Sequence, residues 1–139
     1  LAEICKEILV PACEKYDMMV VMEPLRASAC NFINTLSDGM RVVNDVKSDR
    51  IQLLADTIHM MNNEDNTDDV LNFKNNLKHI HIAELERVMP EDGYSDYVQI
   101  VIGNLKKNGY DGTISFESKN GKGLESMKKA LTLLKKQFN

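Results

Sequence analysis

Glu23, Asp56, His81 and Glu117 are the residues of this 139-residue sequence whose types and spacing could do chemistry. They lie 33, 25 and 36 residues apart, each interval near the length of one strand-helix repeat. Three carboxylates and one imidazole cannot simply share a closed space. Unpaired, the carboxylates would repel one another and lose hydration worth roughly several kcal/mol each. A divalent cation resolves the conflict. Three oxygens with one nitrogen suit Mn²⁺, Mg²⁺ or Co²⁺ better than a structural zinc. The alternative is four unrelated polar groups at strand ends, bonded to solvent and loop amides.

The elements that must position them alternate along the chain. AEICKEILVPACEKY has apolar residues at helical spacing, with a kink expected at Pro11. MMVVMEPL reads as a strand stopped by Pro24. TLSDGMRVVNDVKS reads as a helix capped by Thr35 or Ser37, and IQLLADTIHM as a buried strand. EDNTDDVLNFKNN opens acidic, as a helix N-terminus prefers. LKHIHIAE is a third strand, YSDYVQIVIGNLKKNG a helix closed by Gly109, and GTISFES a fourth strand. GLESMKKALTLLKKQF is an amphipathic helix expected to lie solvated on the outside. Four strands alternating with helices imply parallel βα units in one domain, residues 1–139, with strands near 18–23, 51–57, 77–83 and 112–117.

Parity along these strands narrows the architecture. Val21 and Glu23 share a face, as do Leu54 and Asp56, His79 and His81, and Thr113, Ser115 and Glu117. The opposite faces carry Val20 and Met22, Ile80 and Ile82, Ile114 and Phe116. A parallel sheet covered by helices on both sides needs both faces apolar. A barrel wall does not: its outer face meets helices and its inner face opens at the top into a site. The expected fold is α/β, about four parallel βα units of a (β/α)8 TIM barrel.

Charge and composition exclude other classes. The formal net charge is −4, the isoelectric point is near 5.4, and 27% of residues are charged. This balance argues against a nucleic-acid surface, which needs clustered Lys and Arg. No apolar run approaches the roughly 20 residues of a membrane span. The opening LAEICKEILV has neither a basic region nor a cleavage site, so no secretory signal is expected. Cys5, Cys13 and Cys30 form no metal-binding pattern, and an odd count fits a reduced, cytoplasmic setting. A start at Leu1 rather than Met suggests a piece of a longer polypeptide.

Taken together, VVMEPLRASACNFINT, LLADTIHMMNNED, HIHIAELERVMP and GYDGTISFES resemble the xylose isomerase-like sugar isomerase/epimerase superfamily. The nearest branch is the ketose 3-epimerases, such as the D-tagatose and D-psicose enzymes. The resemblance covers nearly the whole chain but only the C-terminal half of the family's barrel. It implies that Glu23, Asp56, His81 and Glu117 bind the metal, Mn²⁺ first, and that Glu23 and Glu117 are the acid/base pair. It further implies that His59 and Arg87 hold substrate hydroxyls. His79 would support the site from the inner wall or serve as a satisfied interior histidine. Glu84 would orient Arg87, and Glu86 would be solvated. Two departures stand out: Ala29 replaces a usual glutamate, and Arg26-Ala27 replaces a usual Asn-Arg.

The implied reaction removes a proton from a carbon beside a carbonyl and returns one to the opposite face, through an enediolate. The substrate would be a small sugar. A sugar phosphate is the weaker reading, suggested by Lys119, Gly121, Lys122 and Gly123 after the last strand. Three rivals share parts of this pattern. Hydroxypyruvate isomerase and inosose dehydratase relatives share the metal site. Zinc endonuclease relatives would want a positive surface. A non-catalytic half-barrel would associate with itself or with a missing N-terminal half, and the isolated piece would be nearly inactive.

Overall fold

The computed structural model describes residues 1–119 and 123–138. Four strands, β1 (Val20–Met22), β2 (Ile51–Asp56), β3 (Leu77–Ile82) and β4 (Thr113–Phe116), form one parallel sheet in chain order. Helices α3 (Leu36–Val46), α4 (Thr57–Asn63), α5 (Asp69–Asn72), α6 (Asp96–Lys107) and α7 (Leu124–Phe138) follow or separate the strands. Before them, α1 (Ala2–Ile4) runs through a π segment (Cys5–Leu9) into α2 (Val10–Tyr16). No described helix is long and apolar enough to cross a membrane.

The irregularity expected at Pro11 takes the form of that π segment. Proline has no N–H to give the carbonyl one turn back, and the helix widens just before it, with Val10 N donating to the Cys5 carbonyl. Thr35, not Ser37, caps α3. Its hydroxyl accepts from Asp38 N at 3.1 Å while Asp38 Oδ2 accepts from Thr35 N at 3.1 Å, a reciprocal box. The segment after Glu64 is less helical than its acidic start suggests, since only Asp69–Asn72 winds up. Asn66 draws the Asp68 N–H to its own side chain at 3.0 Å, a local bond that competes with helix.

One strand boundary needs correction. IQLLADTIHM reads as a continuous strand, but β2 ends at Asp56 and Thr57 opens α4. Asp56 Oδ1 accepts from Ile58 N at 2.8 Å, so the last residue of the strand is also the cap of the helix. His59 therefore stands on a helix.

Parity sets the layers. Ile80 and Ile82 are fully buried and face the core made with α6 and α7, which also takes Leu53, Ala55, Val98, Val101, Ile102 and Leu105. The α6 residues recur at the spacing of one helix face, and each stabilises the fold by about 1.5–3 kcal/mol. Gly39 lets α3 lie directly on β2, since a Cβ there would stand 2.8 Å from Leu53 Cδ2. Gly109, at φ +67°, takes the left-handed turn just past α6. On the other face of the sheet lie His79, His81, Thr113 and Ser115, partly or fully exposed. Strands β1 and β4 each have one neighbour, which leaves both edges of the sheet open among the described residues.

Candidate metal centre

Register brings the strand ends together. Asp56 is level with His81, and His81 with Ser115; two residues beyond Ser115, the Glu117 N–H donates to the Ile82 carbonyl at 3.1 Å. Glu23 follows Met22 at the top of β1. One ligand atom from each of Glu23, Asp56, His81 and Glu117 lies within 4.8 Å of the others.

His81 Nδ1 is the hub. It stands 2.9 Å from Glu117 Oε2, 3.6 Å from Glu23 Oε1 and 3.9 Å from Asp56 Oδ2. Glu23 Oε1 and Asp56 Oδ2 are buried and have no hydrogen-bond partner. Such orphaned oxygens cost about 1–3 kcal/mol or more each. A divalent cation would satisfy both, so the donor set fits one. Burial, and then the neighbouring Glu117 carboxylate, push the Asp56 pKa up to about 8. Glu117 moves the other way. Burial would raise it, but its contacts with Asp56 and Arg87 outweigh that and hold it low.

His59 faces the same cluster, its Nε2 3.9 Å from Glu23 Oε1 and 4.0 Å from Asp56 Oδ2. Its Nδ1 accepts from the Arg26 N–H at 3.2 Å, which leaves the proton on Nε2, facing the carboxylates. Burial lowers its pKa and favours this neutral form.

Arg87 Nη1 lies 2.7 Å from Glu117 Oε1 and 3.1 Å from the Glu117 carbonyl. The backbone beneath it is unusual, with Glu86 and Arg87 both left-handed at φ +60° and +56°. Non-glycine residues adopt this region at a cost of about 1–2 kcal/mol each. The turn is pinned by Arg87 N to the Glu84 carbonyl at 2.9 Å and by Lys119 N to the Arg87 carbonyl at 2.8 Å.

Residues 2–137 match the xylose isomerase-like TIM barrel family. The chain belongs to that family. Over 104 residues it is 33% identical to 3-dehydro-D-guloside 4-epimerase of Escherichia coli K12, which covers 73% of this chain and 38% of the relative. Over 107 residues it is 34% identical to a putative hydroxypyruvate isomerase of Drosophila melanogaster, covering 73% and 40%. The apo crystal structure of 3-keto-D-glucoside 4-epimerase, YcjR, from E. coli superposes with a TM-score of 0.79 at 25% identity, covering 93% of this chain and 50% of that one. The chain thus spans half or less of the length of these relatives, and its four βα units correspond to part of their barrels.

Against the family pattern, the expected residues Glu23, Asp56, His59, His81, Arg87 and Glu117 do meet at one place. The Glu84 side chain is engaged elsewhere, and Glu84 meets Arg87 only through its backbone carbonyl. Its Oε1 accepts from Ser95 N at 2.9 Å, at the start of α6. His79 binds Thr113 Oγ1 through Nδ1 and stands edge-on to His81, ring centroids 5.0 Å apart, so it braces that ring. Gly121 and Lys122 lie outside the described residues. A depression of about 390 Å³ on α7 contains none of the cluster, and within it Lys129 pairs with Glu91 and Glu125.

Two supporting residues carry no signal in the sequence. The buried Thr57 hydroxyl donates to the Ala83 carbonyl at 2.7 Å and accepts from Ala83 N at 2.9 Å, tying the start of α4 to the end of β3. Asn63 accepts from Ala27 N at 3.0 Å and donates to the Asn34 carbonyl at 2.9 Å, fastening the loop after β1. Both pairings span 26 residues or more, beyond the reach of any local pattern.

Proposed function

We propose that this chain carries the catalytic constellation of a divalent-metal-dependent sugar epimerase, one that inverts a carbon next to a ketone. Glu23, Asp56, His81 and Glu117 would hold the ion, Mn²⁺ first and Mg²⁺ or Co²⁺ next. The observation that carries the reading is the pair of buried, unpartnered oxygens, Glu23 Oε1 and Asp56 Oδ2, within 4.8 Å of the other donors.

A bound divalent ion supplies Lewis acidity that lowers the cost of negative charge on a ketone oxygen. The remaining work falls to side chains. One glutamate, Glu23 or Glu117 according to the epimer bound, takes the proton from the carbon beside the ketone. The C–H electron pair becomes the enediolate double bond, and the other glutamate delivers a proton to the opposite face. His59 donates from Nε2 to a substrate oxygen. Arg87 keeps the Glu117 carboxyl group oriented and reaches a neighbouring hydroxyl.

Inversion at C3 of a 2-ketose and at C4 of a 3-keto sugar are the same step, because each carbon adjoins a ketone. The ketose 3-epimerase reading and the 4-epimerase names of the relatives therefore call for one mechanism. Hydroxypyruvate isomerisation is the second reading, favoured by the 34% identical relative. It passes through the same kind of enediolate on a shorter substrate, but the proton taken from C3 is returned to C2, the former ketone carbon. The C3 hydroxyl loses its proton to become the aldehyde, and the former ketone oxygen gains one. We place the protein in the cytoplasm, treat residues 1–139 as one folding unit, and expect both open sheet edges to be covered by a further half-barrel or a second copy. Alone, this unit would be inactive or nearly so.

The test is a panel of ketoses, 3-keto sugars and hydroxypyruvate assayed with the complete polypeptide and Mn²⁺ or Co²⁺. Turnover that disappears with EDTA and in Glu23→Gln and Glu117→Gln supports the proposal. Undiminished epimerisation by either variant removes that glutamate from the mechanism.

A further inference from the structure

Beside the carboxylate cluster is a cleft of about 270 Å³ lined by Arg26, Ile58, Asn62, Arg87 and Lys119, with Glu86 on its lining. The loop after β1 supplies Arg26, α4 supplies Ile58 and Asn62, the turn after β3 supplies Arg87, and the segment after β4 supplies Lys119. A cleft assembled from the loops after successive parallel strands is where barrels of this kind take ligands. It is continuous with the cluster. Arg87 reaches Glu117 at 2.7 Å, and the Arg26 N–H meets His59 at 3.2 Å.

Its charge exceeds what the cluster needs. Three carboxylates carry three negative charges, which a divalent ion and the Arg87 guanidinium would balance. Arg26 and Lys119 are then surplus. Neither forms an ion pair among the described residues, and among those residues the one carboxylate lining the cleft is the exposed Glu86. Both side-chain contacts of Arg87 use Nη1, so its remaining N–H donors have no partner among the described residues. Cations left unpaired on two loops, with a guanidinium between them, are suited to an oxyanion.

We propose that this cleft binds an oxyanion group, phosphate or carboxylate, carried by the keto sugar at the end remote from the reacting carbons. The inference rests on the epimerase reading for the rest of the substrate. The oxyanion anchors the sugar on Arg26, Lys119 and the free edge of Arg87, while the ketone end lies over the four-residue cluster. This reverses the preference for a neutral sugar drawn from the sequence. Lys119 stays in the argument, and Arg26, which stands where relatives of the resembling branch have asparagine, joins it.

The test is calorimetric binding to the complete polypeptide of Mn²⁺, inorganic phosphate, and three matched probes: D-fructose, D-fructose 6-phosphate and D-fructuronate. At least tenfold tighter binding of an anionic probe than of D-fructose is expected, and the better of the two identifies phosphate or carboxylate. Arg26→Gln and Lys119→Gln should each weaken the anionic probe and inorganic phosphate three- to tenfold, with D-fructose and Mn²⁺ affinities within twofold of the parent. Equal affinity for all three probes, or equal losses for neutral and anionic sugars in both variants, overturns the subsite. Failure to bind Mn²⁺ would instead overturn the metal-dependent reading, and variant-sensitive phosphate binding would still uphold the cleft.

Discussion

Arg87 Nη1 holds Glu117 by two oxygens of the same residue, the carboxylate Oε1 at 2.7 Å and the backbone carbonyl at 3.1 Å. Side chain and main chain are fixed together, so the carboxylate has little freedom to leave the cluster. Lysine keeps the charge but cannot reproduce a planar donor set. In Arg87→Lys we expect kcat/KM of the complete polypeptide to fall roughly ten- to a hundredfold, the equivalent of losing about 1.5–3 kcal/mol of charge-assisted hydrogen bonding. Steady-state kinetics on the best substrate check this, and unchanged kcat/KM would show that Arg87 orients nothing.

Asp56 divides its oxygens, with Oδ1 on the Ile58 N–H and Oδ2 unpartnered in the cluster. Asparagine keeps the helix cap and removes the charge. Asp56→Asn should lose at least a hundredfold in Mn²⁺ affinity. Without metal it should be more stable than the parent by about 1–2 kcal/mol, because a buried unpaired carboxylate is gone. Thermal melts with Mn²⁺ and with EDTA decide. Ion at a hundred times Kd should stabilise the parent by about 2.7 kcal/mol and leave the variant unmoved.

Thr57 satisfies both the N–H and the carbonyl of Ala83. Thr57→Val is nearly isosteric and leaves two buried backbone groups without partners. We expect a loss of about 2–4 kcal/mol in urea denaturation. Roughly tenfold weaker Mn²⁺ binding should accompany it, since the hydroxyl couples the element bearing Asp56 to the strand bearing His81. Lower stability with unchanged ion affinity would confine Thr57 to the fold.

Asp65 sits away from the cluster, where burial first and then the charges of Asp69 and Asp38 push its pKa up to about 6. Its folded value lies above the ordinary carboxylate value of 3.8, so the folded state binds the proton more tightly. The group therefore costs stability progressively as pH rises from about 4 to about 6, and the cost stays above that window. Asp65→Asn should match the parent near pH 4 and exceed it at pH 7.5 by about 1 kcal/mol, a figure reduced for its partial exposure. Urea midpoints at the two pH values test the sign.

Much of the sheet was legible because each strand's parity records which face meets helices. Ile80 and Ile82 against His79 and His81 are the clearest case, and the structure buries the first pair and leaves the second partly exposed on the opposite face. The cluster was legible for the same reason, since register at a common strand end turns sequence intervals into proximity. The end of β2 was not. Thr57-Ile58-His59-Met60 is apolar enough for a strand, and the switch to helix depends on one side-chain cap at Asp56. Glu84 was misread because its partner, Ser95, lies eleven residues on in another element. The cleft was half visible. Lys119 drew notice by its loop, whereas Arg26 registered only as a missing asparagine, its unpaired charge being a property of space rather than of order.

The consecutive left-handed residues Glu86 and Arg87 bear on how any mutagenesis of the neighbouring carboxylate can be interpreted. Their unfavourable conformation persists against what Arg87 grips, so cutting Glu117 back to alanine would slacken the turn as well as delete a reactive group. Two lesions would then be scored as one. Glutamine keeps an acceptor within reach of the guanidinium and leaves the carbonyl contact intact, which makes it the cleaner probe of chemistry; the difference between the alanine and glutamine variants would measure the posture of the loop.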